Sequence, residues 1–235
     1  MYAGRLCGAD AVAKHRFAKS YRVEVLDKRL REGHMGAEAR GLAKARLAGV
    51  HVPRVLMVDK VQCIIYVERV PGCSLKAFLL ATEGDTPPPI ARLTDALLAA
   101  VGTAIAALHN ADIIHGDLTT SNFMLRLAAR ADADADPDAL TAPVLDPAVL
   151  ATLAPADVDV VAIDFGLSAM ARRDGAEDKA VDLYVLERAF VSTHPSVAAF
   201  SAVLEAYAAA CNATDAVFAR LESVRARGRK RECFG

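Results

Sequence analysis

Three side chains in this sequence have the types and the spacings that phosphoryl transfer requires. Asp117 follows a short apolar run, and Asn122 lies five residues later. A loop of this length lets one carboxylate face an attacking hydroxyl while the amide turns back towards a metal ion on nucleotide phosphates. Asp164 ends a β-branched run and would be a second ligand, because Mg²⁺ prefers hard oxygen donors. The pattern predicts a magnesium-assisted phosphoryl-transfer centre with Asp117 as the catalytic base.

The segments around these residues resemble two protein-kinase motifs. Residues 115–122, HGDLTTSN, have the spacing of H-R-D-L-x-x-x-N, with glycine in place of the arginine. Residues 164–166, DFG, match the second metal motif. Either segment alone could be an ordinary polar turn, but the two in this order favour an ATP site. His115 and His109 lack the spacing of a metal pair, so we expect His115 to support the catalytic loop.

A lysine and a glutamate nearer the N-terminus extend this set. Residues 11–14, AVAK, resemble the V-A-I-K strand, whose lysine holds the α- and β-phosphates and is itself held by a glutamate on the next helix. Lys14 alone could be a solvated lysine at a strand end; ahead of a complete catalytic loop, we expect it to bind phosphate. Glu38 is the first candidate for its partner and Glu32 the second.

Hydrophobic patterning predicts an α+β protein with a two-lobed, protein-kinase-like fold. The smaller lobe, 1–70, would be mainly antiparallel β with one helix: a hairpin over 1–17, a helix over 26–48 and strands over 54–59 and 62–67. The larger, helical lobe, 71–235, would contain helices over 74–80, 90–108, 177–190 and 196–224. A Pro-Gly turn marks the hinge between the lobes. There the backbone of Glu68 and Val70 would meet an adenine.

Composition narrows the class of protein. The net charge of −1 gives no overall attraction to a polyanion, so any contact with nucleic acid must come from a local patch. The five cysteines are widely spaced and contain no C-x-x-C, which predicts reduced thiols in the cytosol or nucleus. Without a charged and then apolar leader, or an apolar run of about 18 residues, we expect neither secretion nor a membrane partner.

Two segments have biased composition. Residues 127–157 are rich in alanine, aspartate and proline, which predicts a low-complexity loop insertion, disordered or partly helical, with an acidic docking surface as the alternative. The basic tail, 225–235, has five positive charges in residues 225–231 and is either a frayed, solvated terminus or a phosphate-binding cluster.

About ten residues separate the DFG segment from the next predicted helix, so switching by phosphorylation of an activation loop is not expected.

Nine segments together closely resemble the small atypical kinase subunit of the KEOPS (EKC) complex, the PRPK family of serine/threonine kinases. They are spread over nearly the whole chain: 14–17 (KHRF), 21–22 (YR), 38–40 (EAR), 115–122 (HGDLTTSN), 163–168 (IDFGLS), 177–179 (EDK), 181–187 (VDLYVLE), 192–195 (STHP) and 227–231 (RGRKR).

The resemblance implies a kinase-like fold and Mg²⁺-dependent ATP hydrolysis or serine/threonine phosphorylation. It also implies partners: a threonylcarbamoyltransferase subunit that modifies adenosine 37 of tRNAs, and a small regulatory subunit. By position, Lys14 would bind phosphate with Glu38 holding it, and Asp117 would be the base. Asn122 and Asp164 would be the metal ligands, and Asp182 would support the catalytic loop. The candidates for tRNA contact are basic residues of the tail: Arg227, Arg229, Lys230 and Arg231.

Two departures from the family pattern leave other functions open. Most of the family's small-residue phosphate loop, expected ahead of Gly4, is not present, and His34 stands where the family tends to have arginine. A non-catalytic pseudokinase scaffold is therefore one alternative. The other is a small-molecule phosphotransferase of the aminoglycoside or choline kinase type, which shares the HGD loop but typically carries a histidine near the positions of Thr119 and Thr120.

Overall fold

The computed structural model describes residues 1–84, 86–128, 146–172, 175–194 and 197–232. In these residues a four-stranded antiparallel sheet with one long helix is followed by a mainly helical region. The predicted α+β class, with its small β lobe and larger helical lobe, is confirmed.

The first lobe is built on a sheet with strand order β1-β2-β4-β3. Its strands are β1 (Tyr2–Leu6), β2 (Ala9–His15), β3 (Val55–Asp59) and β4 (Ile64–Glu68). The β1–β2 hairpin turns at Cys7 and Gly8, which both have positive φ. In the register of the central pair, Lys14 lies opposite the fully buried Ile65. The strand register therefore fixes the position of Lys14 along β2.

Helix α1 (Glu24–Leu47) is the one helix of this lobe. Its buried face includes Met35, Glu38, Leu42 and Ala45, which recur at helical spacing. Three glycines, Gly33, Gly36 and Gly41, lie within the helix and do not interrupt it. Gly41 allows the helix to pack closely on Phe165, because an added Cβ would lie 3.0 Å from the Cβ of Phe165.

Helix α3 (Pro88–Asn110) is the core of the second lobe. Proline occupies its first turn, and its large apolar residues are buried at every third or fourth position, including Leu93, Leu97, Val101 and Ile105. By length and composition alone α3 could cross a membrane. These apolar positions instead pack in the protein core, with α6 (Val197–Ala210) against the helix.

Short elements surround the predicted catalytic loop. Helix α2 (Leu75–Ala81) begins where the Ser74 hydroxyl accepts the Ala77 N–H at 3.1 Å, as expected for a cap. One small sheet has the order β5-β7-β8 and a second pairs β6 with β9. Their bounds are β5 (Cys73–Ser74), β6 (Ile113–Ile114), β7 (Phe123–Leu127), β8 (Val158–Ala162) and β9 (Ala169–Met170).

The two ends of the predicted insertion, 127–157, are ordered parts of the fold. Leu127 ends β7, and Ala128 is buried and donates its N–H to the Asp157 carbonyl at 2.8 Å. Helix α4 (Pro147–Leu150) places Leu150 in the core at 2% exposure. Both ends of the segment therefore belong to the fold. Residues 129–145 lie outside the described residues.

The last predicted helix, 196–224, is two helices, and the second runs into the basic tail. After α5 (Ala176–Thr193), α6 ends at Ala210 and α7 (Thr214–Glu232) follows. The tail is thus helical through 232. Gly228 lies at the contact with α5, since an added Cβ would clash with the Tyr184 hydroxyl.

Candidate active site

The strand lysine, the helix glutamate and the DFG aspartate meet in the structure. Lys14 Nζ lies 2.6 Å from Glu38 Oε1 and 3.3 Å from Asp164 Oδ1. Glu38, and not the alternative Glu32, is the partner of Lys14. Its carboxylate is almost fully buried, so its charge requires close cations. The pairing holds the lysine beside Asp164.

A second cation, Arg16, shares Glu38 and was not among the predicted site residues. Its Nη2 donates to Glu38 Oε2 at 2.8 Å, so each carboxylate oxygen has its own basic partner. The same guanidinium packs on Gly166, where an added Cβ would clash with Nη2. A signal was present in the sequence: Lys14 and Arg16 are two residues apart, and alternate residues of a strand share a face.

Asp117 and Asn122 form one hydrogen-bonded unit. The Asn122 amide nitrogen donates to the Asp117 carbonyl at 2.8 Å and to its carboxylate at 3.2 Å. The Asn122 carbonyl accepts the Ile163 N–H at 2.9 Å, continuing the β7–β8 register in which Phe123 lies opposite Ala162. Antiparallel pairing thus brings the catalytic loop and the DFG segment, far apart in the chain, to the same end of two strands.

Asp182, on α5, holds the start of the catalytic loop through two backbone bonds. The N–H groups of His115 and Gly116 donate to its two carboxylate oxygens at 2.7 and 2.8 Å. The carboxylate is 1% exposed and also lies 3.4 Å from His109 Nε2. Tyr207 completes this buried chain with its hydroxyl 3.0 Å from His109 Nδ1. His109 and Tyr207 were not predicted for this role.

His115 links the two loops as a neutral ring. Its Nε2 lies 3.0 Å from the Ile163 carbonyl, which makes Nε2 the protonated nitrogen, and its ring centroid is 4.6 Å from that of Phe165. Burial lowers the pKa of His115 below its ordinary value, although the charges of Asp182, Asp117 and Asp164 act in the opposite direction.

The backbone explains why glycine replaces the motif arginine at 116. Gly116 has a φ of +82°, and an added Cβ would stand 2.5 Å from the Leu167 carbonyl oxygen. Both the left-handed conformation and the close approach exclude a side chain. The departure from the kinase motif is therefore a packing requirement of this loop.

Asn122 and Asp164 fit a magnesium ion by the chemistry of their oxygens. The Asn122 NH₂ group is turned to Asp117, which leaves the amide oxygen available as a ligand. Asp164 has a φ of 64°, a conformation that is unusual outside glycine, and its side chain is 39% exposed. Within the described residues, no group of three or more histidine, cysteine or acidic side chains could enclose a metal. Two oxygen ligands suit an ion that keeps waters and phosphate oxygens.

The predicted hinge and tail residues lie outside this cluster. Glu68 ends β4, where its N–H donates to the Arg54 carbonyl at 2.8 Å and its carboxylate pairs with Arg54, while Val70 follows in the connection between the lobes. In the tail, Arg227 pairs with Glu177 on α5. The side chains of Arg229, Lys230 and Arg231 lie outside the described part of the chain.

Sequence comparison finds similarity to a kinase family and to subunits of the EKC/KEOPS complex. The sequence profile of the Lipopolysaccharide kinase (Kdo/WaaP) family matches residues 12–137. The EKC/KEOPS complex subunit Tp53rkb of Mus musculus is 38% identical over 237 residues, covering 100% of this chain and 85% of that protein. The EKC/KEOPS complex subunit bud32 of Dictyostelium discoideum is 34% identical over 235 residues, covering 100% and 81%.

Two solved structures share the fold at low sequence identity. WaaP in complex with acyl carrier protein has a TM-score of 0.58 and 18% identity, covering 87% of this chain and 72% of that one. The Rio2 kinase–ADP/Mg²⁺–phosphoaspartate complex from Chaetomium thermophilum has a TM-score of 0.54 and 17% identity, covering 95% and 65%.

The lobes, the Lys14–Glu38 pair and the two joined loops define a protein of the protein-kinase-like class. Within that class, the full-length similarity is decisive. The chain belongs to the Bud32/Tp53rkb family of EKC/KEOPS complex subunits.

Proposed function

We propose that this protein is an ATP-dependent serine/threonine kinase and ATPase that serves as a subunit of a KEOPS complex. The observation that carries the catalytic part is the arrangement of the motif residues. Lys14 contacts both Glu38 and Asp164, and Asp117 is joined to Asn122, whose carbonyl accepts the N–H of Ile163 next to Asp164.

Each residue has a defined task in this proposal. Lys14, held by Glu38, neutralises the α- and β-phosphates of ATP, and the hinge backbone at Glu68 and Val70 meets the adenine. Asp117 accepts the proton of the attacking hydroxyl or water as the γ-phosphoryl group is transferred. Magnesium, held by Asn122 and Asp164, would neutralise charge on the phosphates.

The role in the complex follows from the family. We infer that the protein works in the cytosol or nucleus beside a threonylcarbamoyltransferase subunit and a small regulatory subunit, supporting threonylcarbamoyladenosine formation at position 37 of tRNAs. The relatives named above are EKC/KEOPS subunits, which supports this assignment over a small-molecule phosphotransferase. The basic end of α7 is the proposed tRNA contact.

Release of phosphate from ATP by the purified protein, alone and with its threonylcarbamoyltransferase partner, tests the proposal. We expect Mg²⁺-dependent turnover that falls to background in Asp164→Ala and by roughly 100-fold or more in Asp117→Asn, because a positioned general base contributes about that factor. Asp10→Ala is the matched control, since Asp10 is an exposed aspartate on the β1–β2 hairpin with a side chain 64% exposed.

The alternatives predict different results. Turnover that requires an added aminoglycoside or choline would assign the protein to the small-molecule phosphotransferases. No turnover in either preparation, with tRNA modification retained in Asp164→Ala, would make it a scaffold.

A further inference from the structure

A basic pocket of about 360 Å³ lies beyond the end of β2, against the first half of α1. The lining of the phosphate pocket, as we call it, includes the apolar side chains of Phe17 and Leu30. Its other members are four permanent cations and two histidines: Arg16, Lys19, Arg22, Arg31, His15 and His34. Neither Lys14 nor Asn122 nor Asp164 lines it, so it is separate from the nucleotide site. Since a water molecule takes about 30 Å³ in the liquid, the pocket has room for a phosphate group and several waters.

The charges around the pocket do not cancel. Arg31 Nε lies 2.7 Å from the buried Asp27 and Arg22 Nη1 3.7 Å from it, so one carboxylate is set against two arginines. Arg16 pairs with Glu38, which Lys14 also shares. Four permanent cations of the lining therefore stand against two carboxylates, Asp27 and Glu38. Among the ion pairs of the described residues, the lining keeps an excess of positive charge, which complements a dianion.

The cations are already held in place. Lys19 Nζ lies 5.7 Å and the Arg22 guanidinium 5.4 Å from the centre of the Tyr21 ring, so both cations contact the ring of Tyr21. Asp27 fixes Arg31 through a short hydrogen bond. Because side chains that are ordered before binding lose little entropy on binding, this arrangement favours a specific anion site over a solvated basic surface.

One buried donor also lacks a partner. Arg16 Nε is buried and makes no hydrogen bond with the described residues, although Nη2 of the same guanidinium donates to Glu38. A buried N–H left unpaired is costly, so the Arg16 guanidinium has hydrogen-bonding capacity that Glu38 does not use. Arginine forks bind phosphate oxygens through two parallel bonds, which suits Arg16 and Arg22.

We propose that the phosphate pocket binds a phosphate monoester dianion, either inorganic phosphate or a phosphorylated side chain of a partner protein. The cations converge on one concave spot, whereas a nucleic-acid backbone of single charges is normally followed by an extended basic groove. Occupancy would act on the active site through Arg16, which contacts the pocket, Glu38 and Gly166. This inference goes beyond the proposed function and does not depend on turnover.

Calorimetric titration without nucleotide, at constant ionic strength, tests the pocket. The full chain is titrated with inorganic phosphate, with a phosphoserine peptide and with the same peptide unphosphorylated. We expect binding of phosphate, of the phosphopeptide or of both, none of the unmodified peptide, and at least tenfold weaker binding in the double variant Lys19→Gln, Arg22→Gln. Arg31 still pairs Asp27 in this variant, and thermal unfolding checks its fold.

The matched control is the double variant Lys28→Gln, Arg29→Gln, which removes the same charge from exposed positions of α1. It should bind as the unmodified protein does. Phosphate binding without phosphopeptide binding identifies the free ion as the ligand, and tighter phosphopeptide binding identifies a partner protein.

Three results would overturn the proposal. The first is equal affinity in the two double variants, and the second is phosphate binding abolished by ADP and unaffected by Lys19→Gln, Arg22→Gln. The third is binding of an RNA without terminal phosphate that depends on Lys19 and Arg22, with none of either phosphate probe.

Discussion

Gly116 shows how a single backbone position decides which residue a catalytic motif can carry. Its φ of +82° and the Leu167 carbonyl above it leave no space for the arginine of protein kinases. Asp182 holds the same residue by its N–H, so the loop cannot turn to relieve a clash. The loop is thereby fixed without an arginine that reads an activating phosphate.

We predict that Gly116→Ala lowers the free energy of unfolding by about 1–3 kcal/mol, the cost of a side chain in a strained conformation. ATP turnover should fall as well, because the loop that carries Asp117 must shift. Urea denaturation measures the first effect. Gly4→Ala is the control, since an added Cβ at Gly4 meets nothing within 4 Å. Equal stability of the two variants would contradict the packing argument.

His115 gives the stability a predictable dependence on pH. Because its pKa is lowered in the folded protein, the unfolded chain takes up a proton near pH 6.5 while the folded chain does not. The contribution is full above that pH and is lost as the pH falls from about 6.5 towards the folded pKa. His115→Gln should therefore lose less stability between pH 7.5 and 5.5 than the unmodified protein.

Urea denaturation at the two pH values, without nucleotide or Mg²⁺, measures the difference. The exposed His51, with its side chain 53% exposed, provides the control His51→Gln. If both variants followed the pH dependence of the unmodified protein, His115 would not be the group responsible.

At the scale of elements, α1 joins the two lobes along one face. Ser168 Oγ donates to the Ala37 carbonyl at 3.2 Å, and Phe165 packs where Gly41 has no side chain. The helix that carries Glu38 is thus seated directly on the DFG segment. The Lys14–Glu38 pair follows from this seating, because the helix cannot swing outward without breaking these contacts.

We predict opposite effects for two glycines of α1. Gly33→Ala should raise the free energy of unfolding by about 0.5–1 kcal/mol, because alanine is the better helix former and nothing lies within 4 Å of the added Cβ. Gly41→Ala should lower it and slow turnover, since its Cβ clashes with Ser168 Oγ. Urea denaturation and phosphate release measure both. A stabilising Gly41→Ala would show that α1 is not seated closely on the DFG segment.

At the scale of the whole molecule, the C-terminal helix is fixed to the catalytic lobe. Arg225 forms two hydrogen bonds with Glu187, at 2.8 and 2.7 Å, and Gly228 lies against Tyr184. The basic residues that follow are therefore carried at a set position relative to the catalytic lobe.

We predict that glutamine at Arg229, Lys230 and Arg231 weakens tRNA binding by the assembled complex. The dependence of log K on log salt should also become shallower, by a slope of about 0.7 for each phosphate that the tail no longer neutralises. Deletion of 227–235 should act in the same direction. Filter binding over a range of salt concentrations measures both quantities.

The control for this prediction replaces Lys28, Arg29 and Lys60, three basic residues of the first lobe, by glutamine. This variant removes the same charge away from α7. A salt slope that is unchanged by the tail substitutions would contradict a phosphate contact there.

The fold class, and the proximity of the residues that form the candidate site, could be predicted because they are encoded in short spacings. The five-residue step from Asp117 to Asn122 and the DFG segment are local signals, as is the helical period of α3. Arg16 and Tyr207 were missed because their roles arise from distant partners, Glu38 and His109. The two-residue step from Lys14 to Arg16 places both on one face of a strand, but no local pattern identifies Glu38 or His109 as the partner.

The errors have the same cause. No glycine or proline marks the break between α6 and α7; it is set by Asn110, whose side chain donates to the Ala210 carbonyl and accepts the Asn212 N–H, both at 2.9 Å. Composition also hid the ordered ends of the predicted insertion. Alanine and aspartate give little sign that Leu150 reaches the core.

Helix α5 is a common support for two distant parts of the molecule. Asp182, in its first half, carries the backbone of the catalytic loop, while Tyr184 and Glu187, within a turn and a half, carry the C-terminal helix. A displacement at the end of α7 would therefore act on α5 residues next to Asp182. The C-terminal helix and the catalytic loop are held by the same segment of α5.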